Sequence, residues 1–136
     1  MLYSAQRMPS VFVLAHDWTL RTAVRAELRE RGIDALGMDS AEVVGRAIAS
    51  GQIPSALVVE GAAEFVSDPA IQNLMSRVPT ILIASRTEKI PFPPAGIGGI
   101  GPGPEGQYRG VLLYRPVQVR EIVARVLDFL RRGEAA

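Results

Sequence analysis

Short runs of apolar residues alternate along the chain with segments in which apolar residues recur at helical spacing. A run that is largely apolar is typical of a strand buried on both faces. Five such runs occur, at residues 10–15, 33–38, 55–60, 79–85 and 110–115, and the second, IDALGM, is the weakest. The pattern predicts five strands with amphipathic helices between them.

Polar capping residues mark where the predicted helices begin. Asp17 can cap the helix WTLRTAVRAELRERG, which Gly32 ends, and Ser40 can cap AEVVGRAIAS. Asp68 followed by Pro69 is a third start signal, because proline is favoured in the first helical turn. The last helix, within VQVREIVARVLDFLRR, has the clearest apolar stripe, with arginines on its other side.

The alternation of strands and helices predicts a three-layer α/β fold. Strands that are apolar on both faces need helices on both sides, and right-handed crossovers then make the sheet parallel. Five strands in 136 residues suit a flavodoxin-like, doubly wound sheet of order 2-1-3-4-5. We therefore expect a single domain over residues 10–133, preceded by an N-terminal extension at residues 1–9.

Composition narrows the classes of function. The formal net charge is +1, from 15 basic and 14 acidic residues, so nothing in it favours binding to nucleic acid or to a membrane surface. The absence of cysteine excludes disulfides and thiolate metal sites. No apolar run is long enough to span a bilayer, and we expect a cytoplasmic protein.

A segment rich in glycine and proline, residues 87–109, separates the last two predicted strands. Its Gly96, Gly98 and Gly101 match the G-x-G-x-x-G spacing of phosphate-binding loops. Such a loop must follow a strand directly and open a helix, but PFPP precedes the glycines and two prolines follow them. We interpret the match as chance and predict a loop, whose apolar residues either pack on the sheet or form a docking patch.

The carboxyl ends of the strands are where a doubly wound sheet binds ligands. The polar or small residues that the pattern places there are Ala15, His16, Asp17, Glu60, Ala84, Ser85 and Arg115. A metal cluster of His16, Asp17 and Glu60 is one interpretation, and a capping role for Asp17 is the favoured alternative for that residue.

The element order, with a final strand that ends in Arg115-Pro116 before a long amphipathic helix, resembles the CheY-like receiver domain of two-component response regulators. The resemblance covers residues 10–132. In that family an acidic pair after the first strand holds Mg²⁺, and an aspartate at the end of the third strand accepts a phosphoryl group. A Thr or Ser after the fourth strand and a Lys after the fifth contact that group.

The resemblance implies which residues of this chain stand at the functional positions. They are Ala15 and His16 for the acidic pair with Asp17 just beyond, Glu60 for the acceptor, Ala84 for the Thr or Ser, Arg115 for the Lys, and Leu112 for the aromatic switch residue. Each differs from the family's usual residue. Shifting the first strand by one residue would place His16 and Asp17 at the acidic pair, which restores one acid only.

These replacements predict a degenerate, or pseudo-receiver, pocket without a cofactor. Ala15 offers Mg²⁺ no ligand, and neutral imidazole is a poor one. The extra methylene of Glu60 moves its carboxylate away from the position needed for in-line attack on phosphorus. Arg115 keeps a positive charge and could form a fixed ion pair with Glu60.

The sequence favours a non-catalytic signalling module that acts by phosphorylation-independent binding to another protein. A histidine kinase or an output protein is the expected partner, and a homodimer through the last helix is a further expectation. The Gly/Pro-rich loop would replace the family's fourth helix. Alternatives are a small-ligand or nucleotide-binding domain with that loop as a lid, a receiver phosphorylated at Asp17 or Ser85, and an enzyme of another class.

Overall fold

Five parallel strands form one sheet in the order β2-β1-β3-β4-β5. A computed structural model describes residues 10–87 and 110–135. The strands are β1 Ser10–Leu14, β2 Asp34–Met38, β3 Ala56–Glu60, β4 Thr80–Ala84 and β5 Gly110–Tyr114. The predicted strands, their parallel direction and the doubly wound order 2-1-3-4-5 are confirmed.

Helices connect β1 to β2, β2 to β3 and β3 to β4, and helices cover both faces of the sheet. They are α1 Trp18–Glu30, α2 Ala41–Ala49, α3 Ala62–Phe65, α4 Pro69–Met75 and α5 Val119–Ala135. The short helix α3 was not predicted, because four residues make a single turn and show no periodicity. The N-terminal extension, and the predicted replacement of a helix by a Gly/Pro-rich loop, lie outside the described residues apart from residue 87.

The predicted capping residues begin three of the helices. Asp17, Ser40 and Asp68 each accept hydrogen bonds from backbone N–H groups in the first turn that follows, at 2.8 to 3.3 Å. Gly32 follows α1 with a φ of 81°, a conformation that glycine adopts without steric cost. Among the described residues, no helix is both long enough and apolar enough to cross a membrane.

Alternate residues of the interior strands supply two separate apolar cores. In β1, Phe12 and Leu14 pack beneath α2, α3 and α4, whereas Val11 and Val13 pack beneath α1 and α5. The strands β1, β3 and β4 are therefore buried on both faces, as predicted. The edge strands depart from that expectation, since Asp34 of β2 and Tyr114 of β5 are exposed to solvent.

The parallel register brings the carboxyl ends of the strands to one edge of the sheet. Leu14 lies opposite Val59 in the β1–β3 pair, and Glu60 lies opposite Ile83 in the β3–β4 pair. This register places the β1–α1 connection, the end of β3 and the end of β5 around a common site.

Candidate functional site

Glu60 is the centre of the site. It is the last residue of β3, and only 5% of its surface is exposed. Because a buried carboxylate is costly unless it is paired and hydrogen-bonded, its partners define what the site can do. The oxygen Oε1 accepts hydrogen bonds from the backbone N–H groups of His16 at 3.1 Å and Asp17 at 3.2 Å. The carboxylate thereby fixes the connection between β1 and α1.

Arg115 supplies the charge that Glu60 requires. Its guanidinium forms an ion pair with Oε2 of Glu60, which confirms the predicted contact. Glu60 ends β3 and Arg115 directly follows β5, and these strands flank β4. The pair therefore crosses the end of β4, where Ala84 carries only a methyl group. The backbone N–H of Arg115 also donates to the carbonyl of Ala84 at 2.9 Å, and the Arg115–Pro116 peptide bond is cis.

His16 turns its side chain away from Glu60. The imidazole stacks on the ring of Phe65, with the ring centroids 4.5 Å apart, and its Nε2 lies 2.9 Å from Oε1 of Glu64. Gly61 permits this stacking, because a Cβ at that position would lie 3.3 Å from Cδ2 of His16. Sequence reasoning missed Glu64 and Phe65. The signal that could have found them is a glycine directly after a strand, followed at helical spacing by an acid and an aromatic residue.

Ala15 and Asp17 also serve local structure. Ala15 is fully buried, and its carbonyl accepts a hydrogen bond of 2.7 Å from Nη1 of Arg21. The carboxylate of Asp17 caps α1. The metal cluster considered for His16, Asp17 and Glu60 is therefore not assembled, and the described part of the chain holds no group of three or more His, Cys, Asp or Glu residues arranged to bind a metal.

The remaining predicted positions, Leu112 and Ser85, lie in β5 and directly after β4. Leu112 is half-buried and packs against the core beneath α2 and α4. The Oγ atom of Ser85 lies 3.2 Å from Oγ1 of Thr87, just beyond β4. At the end of β5, the guanidinium of Arg86 lies over the ring of Tyr114, 4.6 Å from its centroid.

An open cavity of about 440 Å³ adjoins the ion pair on the side of α1 and α5. Its lining residues are Asp17, Leu20, Ile83, Arg115, Pro116 and Val117. Arg115 therefore borders both the buried carboxylate and this cavity. The cavity offers a mixed surface with one acidic and one basic group.

Comparison with known proteins gives matches of structure only. No family model and no curated protein matches the sequence. Among solved structures, a CheY-like response regulator receiver domain protein from Methanospirillum hungatei JF-1 superposes with a TM-score of 0.66 at 12% identity, covering 94% of this chain and 98% of its own.

Two further structures agree. A response regulator receiver protein from Burkholderia phymatum has a TM-score of 0.65 at 19% identity, covering 90% of this chain and 94% of its own. The N-terminal domain of a response regulator/sensory box/GGDEF three-domain protein from Carboxydothermus hydrogenoformans has a TM-score of 0.63 at 12% identity, with coverage of 93% and 97%. The sheet order, the helices on both faces and these superpositions agree that the chain has the fold of response-regulator receiver domains.

Proposed function

We propose that this chain is a non-catalytic signalling module, a single receiver-like domain over residues 10–133, that acts by protein–protein interaction without phosphoryl transfer to Glu60. The observation that carries the proposal is that both carboxylate oxygens of Glu60 are bound by the chain itself. The degenerate equivalents of the family's site are Ala15, His16, Asp17, Glu60, Ala84 and Arg115, with Leu112 at the switch position.

Phosphoryl transfer needs an oxygen that is free to attack phosphorus in line with the leaving group. In Glu60, Oε1 is held by the two N–H groups of the β1–α1 connection, and Oε2 is held by the guanidinium of Arg115. Attack would break one of these contacts inside a site that is almost closed to water. Glu60 is therefore better suited to holding the ends of β1, β3 and β5 together than to accepting phosphate.

The Mg²⁺ that the receiver fold implies does not suit the donors present. Mg²⁺ prefers oxygen ligands in octahedral geometry, usually from carboxylates. Ala15 supplies none, the imidazole of His16 is directed to Glu64, and the carboxylate of Asp17 caps α1. We therefore derive no catalytic step through a metal.

The expected partner is another signalling protein, either a histidine kinase or an output protein. The similar structure from Carboxydothermus hydrogenoformans is the N-terminal domain of a three-domain protein, and another similar structure is a receiver domain from the hybrid histidine kinase CckA. By this analogy the chain works beside kinase or output modules in the cytoplasm, with a homodimer through α5 as a further form. Neither nucleic acid nor a membrane is expected as a partner, given the net charge of +1.

The decisive experiment is intact-mass analysis after incubation with acetyl phosphate and Mg²⁺, combined with amide NMR spectra in the presence of beryllofluoride. We expect no phosphoryl adduct and no saturable shifts at residues 15–17, 60, 84 and 115. A variant that combines Ala15→Asp, His16→Asp, Glu60→Asp and Arg115→Lys is the positive control, since it restores the family's residues at four positions.

The outcomes separate the candidate mechanisms. An adduct on Glu60 of the natural chain would contradict the proposal. An adduct mapped to Asp17 or Ser85 would support a receiver phosphorylated at an atypical residue. If the amide spectrum of the restored variant shows that it is unfolded, the mass and the spectra of the natural chain still test the proposal.

A small-ligand or nucleotide-binding role is the second candidate, and the cavity of about 440 Å³ beside Arg115 supports it. A ligand that binds only the folded state raises the unfolding temperature as its concentration rises. A concentration-dependent shift with ATP, GTP or a dinucleotide, abolished in Arg115→Gln, would favour this candidate over the interaction module.

A further inference from the structure

Three arginines on α1 lie beside β2, an edge strand of the sheet in the described part of the chain. Arg21, Arg25 and Arg29 are spaced four residues apart, so they share one face of the helix. That face runs along β2, which is an edge strand. Two of the arginines help to line a cavity of about 350 Å³, whose described lining residues are Trp18, Arg21, Thr22, Arg25, Leu36 and Gly37. We call this lining, together with Arg29, the α1–β2 surface.

Backbone carbonyl groups hold the three arginines in place. Nη1 of Arg21 donates to the carbonyl of Ala15 at 2.7 Å, and the Nε atoms of Arg25 and Arg29 both donate to the carbonyl of Ala35 at 3.3 Å. Within residues 10–87 and 110–135, none of the three forms an ion pair with a carboxylate. Their side chains are thus positioned, and no carboxylate of the described residues neutralises their positive charges.

Trp18 adds an apolar platform next to these charges. It is the one tryptophan of the sequence, and 66% of its surface is exposed, the largest exposed fraction among the large apolar side chains described. A large exposed aromatic ring beside arginines is a combination enriched in protein interfaces. An exposed ring adds little to the stability of the fold, so stability does not explain why a tryptophan lies at this position.

Gly37 brings the backbone of β2 close to this surface. The N–H of Ala15 donates to the carbonyl of Met38, so the backbone polar groups of Met38 point toward β1. Those of the neighbouring Gly37 point the other way, toward the outer edge of the described sheet. A Cβ on Gly37 would lie 3.2 Å from Cγ of Arg21, so glycine lets the arginine lie across the strand. An open strand edge can pair with an extended chain.

We propose that the α1–β2 surface binds an acidic, extended segment of a partner protein. Arginines four residues apart lie about 6 Å apart along a helix. Side chains on one face of an extended chain repeat at about 6.7 Å. Acidic residues at alternate positions of an extended segment can therefore meet successive arginines, while an apolar side chain of the segment packs on Trp18 and its backbone approaches Gly37.

The same observations favour a peptide over a nucleic acid. The N–H and carbonyl groups along a strand edge can form the repeating hydrogen bonds of a β-sheet with an extended peptide, but not with a phosphate backbone. The net charge of +1 gives the molecule no broad basic field to attract a polyanion. This inference specifies a partner for the interaction module, yet it does not depend on whether Glu60 accepts a phosphoryl group.

Fluorescence of Trp18 provides a direct test, because the sequence has no other tryptophan. The probe is a short synthetic peptide with glutamate at alternate positions, threonine between them and one terminal leucine. We expect a saturable change in emission with a dissociation constant below about 1 mM. The same peptide with glutamine in place of glutamate should bind about tenfold more weakly, since about three exposed charge pairs are lost.

Two variants place the binding on the α1–β2 surface. Arg25→Glu reverses one of the positioned charges, and Thr22→Glu adds a carboxylate at an exposed residue whose side chain makes no described hydrogen bond. Each should weaken binding about tenfold, because like charges then face the peptide. Arg125→Glu on α5 is the matched control and should stay within about twofold. Amide shifts on peptide binding should centre on residues 35–37.

The proposal is overturned if the glutamate peptide produces no saturable change, or if Arg125→Glu weakens binding as much as Thr22→Glu does. It is also overturned if pyrophosphate or single-stranded oligothymidylate displaces the peptide and binds more tightly, since the surface would then recognise phosphate. If Arg25→Glu fails to fold, the effect of Thr22→Glu on peptide binding decides whether the proposal stands. The phosphodonor experiment on Glu60 does not depend on the result with either variant.

Discussion

The Glu60 site and the α1–β2 surface differ in whether their charged groups are paired within the described part of the chain. At the end of β3, the carboxylate of Glu60 is buried, and two backbone N–H groups and Arg115 bind both of its oxygens. Beside β2, the guanidinium groups of three arginines are held by carbonyls, and no described carboxylate neutralises them. The carboxylate of Glu60 is thus satisfied within the chain, whereas the arginines beside β2 can pair with the acidic groups of another molecule.

The difference follows from the cost of removing charge from water. A buried carboxylate without partners is strongly unfavourable, so the chain must satisfy it internally and the site becomes a structural connection. An arginine at the surface keeps water around its unused N–H groups and needs no partner for stability. Substitutions at the two regions should therefore differ mainly in their effect on folding.

The largest effect is expected for Arg115→Leu. This change leaves the carboxylate of Glu60, 6% exposed, without its cation, while the cation itself was 44% exposed. We expect the free energy of unfolding to fall by about 2–3 kcal/mol, below the full cost of breaking a fully buried pair because water reaches Arg115. Urea denaturation measures it, with Arg125→Leu as the exposed control. Equal losses in the two variants would refute the internal role of the pair.

Gly61→Ala should have the next largest effect. Gly61 has a φ of 79°, which alanine adopts only with strain, and the new Cβ would lie 3.3 Å from Cδ2 of His16. We expect a loss of about 1–2 kcal/mol in thermal or urea unfolding. The control is Gly45→Ala in α2, where an added Cβ would have no atom within 4 Å. Because alanine favours the helix more than glycine does, this substitution should stabilise the protein by up to about 1 kcal/mol. A stabilising Gly61→Ala would contradict the described loop geometry.

Asp17→Ala should cost about 1 kcal/mol, because it removes the cap of α1 but leaves the backbone N–H that binds Glu60. Asp17→Asn keeps an oxygen that can cap the helix and should retain most of the stability. Circular dichroism during thermal unfolding measures both variants. If Asp17→Asn and Asp17→Ala were equally destabilised, the role of Asp17 would lie elsewhere than in capping.

The smallest effect on folding is expected for Trp18→Ala. With 66% of its surface exposed, Trp18 contributes little to the core, and the change in unfolding free energy should stay within about 0.5 kcal/mol. Binding of the glutamate peptide, followed by fluorescence anisotropy of a labelled peptide, should nevertheless weaken. A large loss of stability with unchanged peptide binding would mean that Trp18 serves the fold and not the binding of a partner, which would contradict the contrast drawn between the two regions.

Most of the fold could be predicted because its signals are local. Apolar runs locate the strands to within one or two residues, and Asp17, Ser40 and Asp68 mark the helix starts. The exposure of Asp34 and Tyr114 departs from the sequence pattern, because an apolar run alone does not distinguish an edge strand from an interior one. Helix α3 was missed because it is too short to show a period.

The site could be predicted only as far as side chains at strand ends reveal it. The contact of Glu60 with Arg115 followed from the positions of two charged residues in a parallel sheet. The N–H groups that bind Oε1 belong to the backbone, so no residue type marks them in a sequence. The stacking of His16 on Phe65 depends on the turn at Gly61, which becomes visible only in three dimensions.

The helices on the two faces of the sheet differ in length, and this bears on how the molecule opens. Helices α3 and α4 have four and seven residues, whereas α1 and α5 have 13 and 17. Helices this short do not persist in water by themselves, so α3 and α4 exist only while they are docked on the sheet. Their amide hydrogens should exchange with solvent through local openings that leave β3 and α5 protected. Among the described helices, α3 and α4 therefore form a unit that opens readily, on the face of the sheet opposite α1. A partner bound at the α1–β2 surface would not oppose those openings.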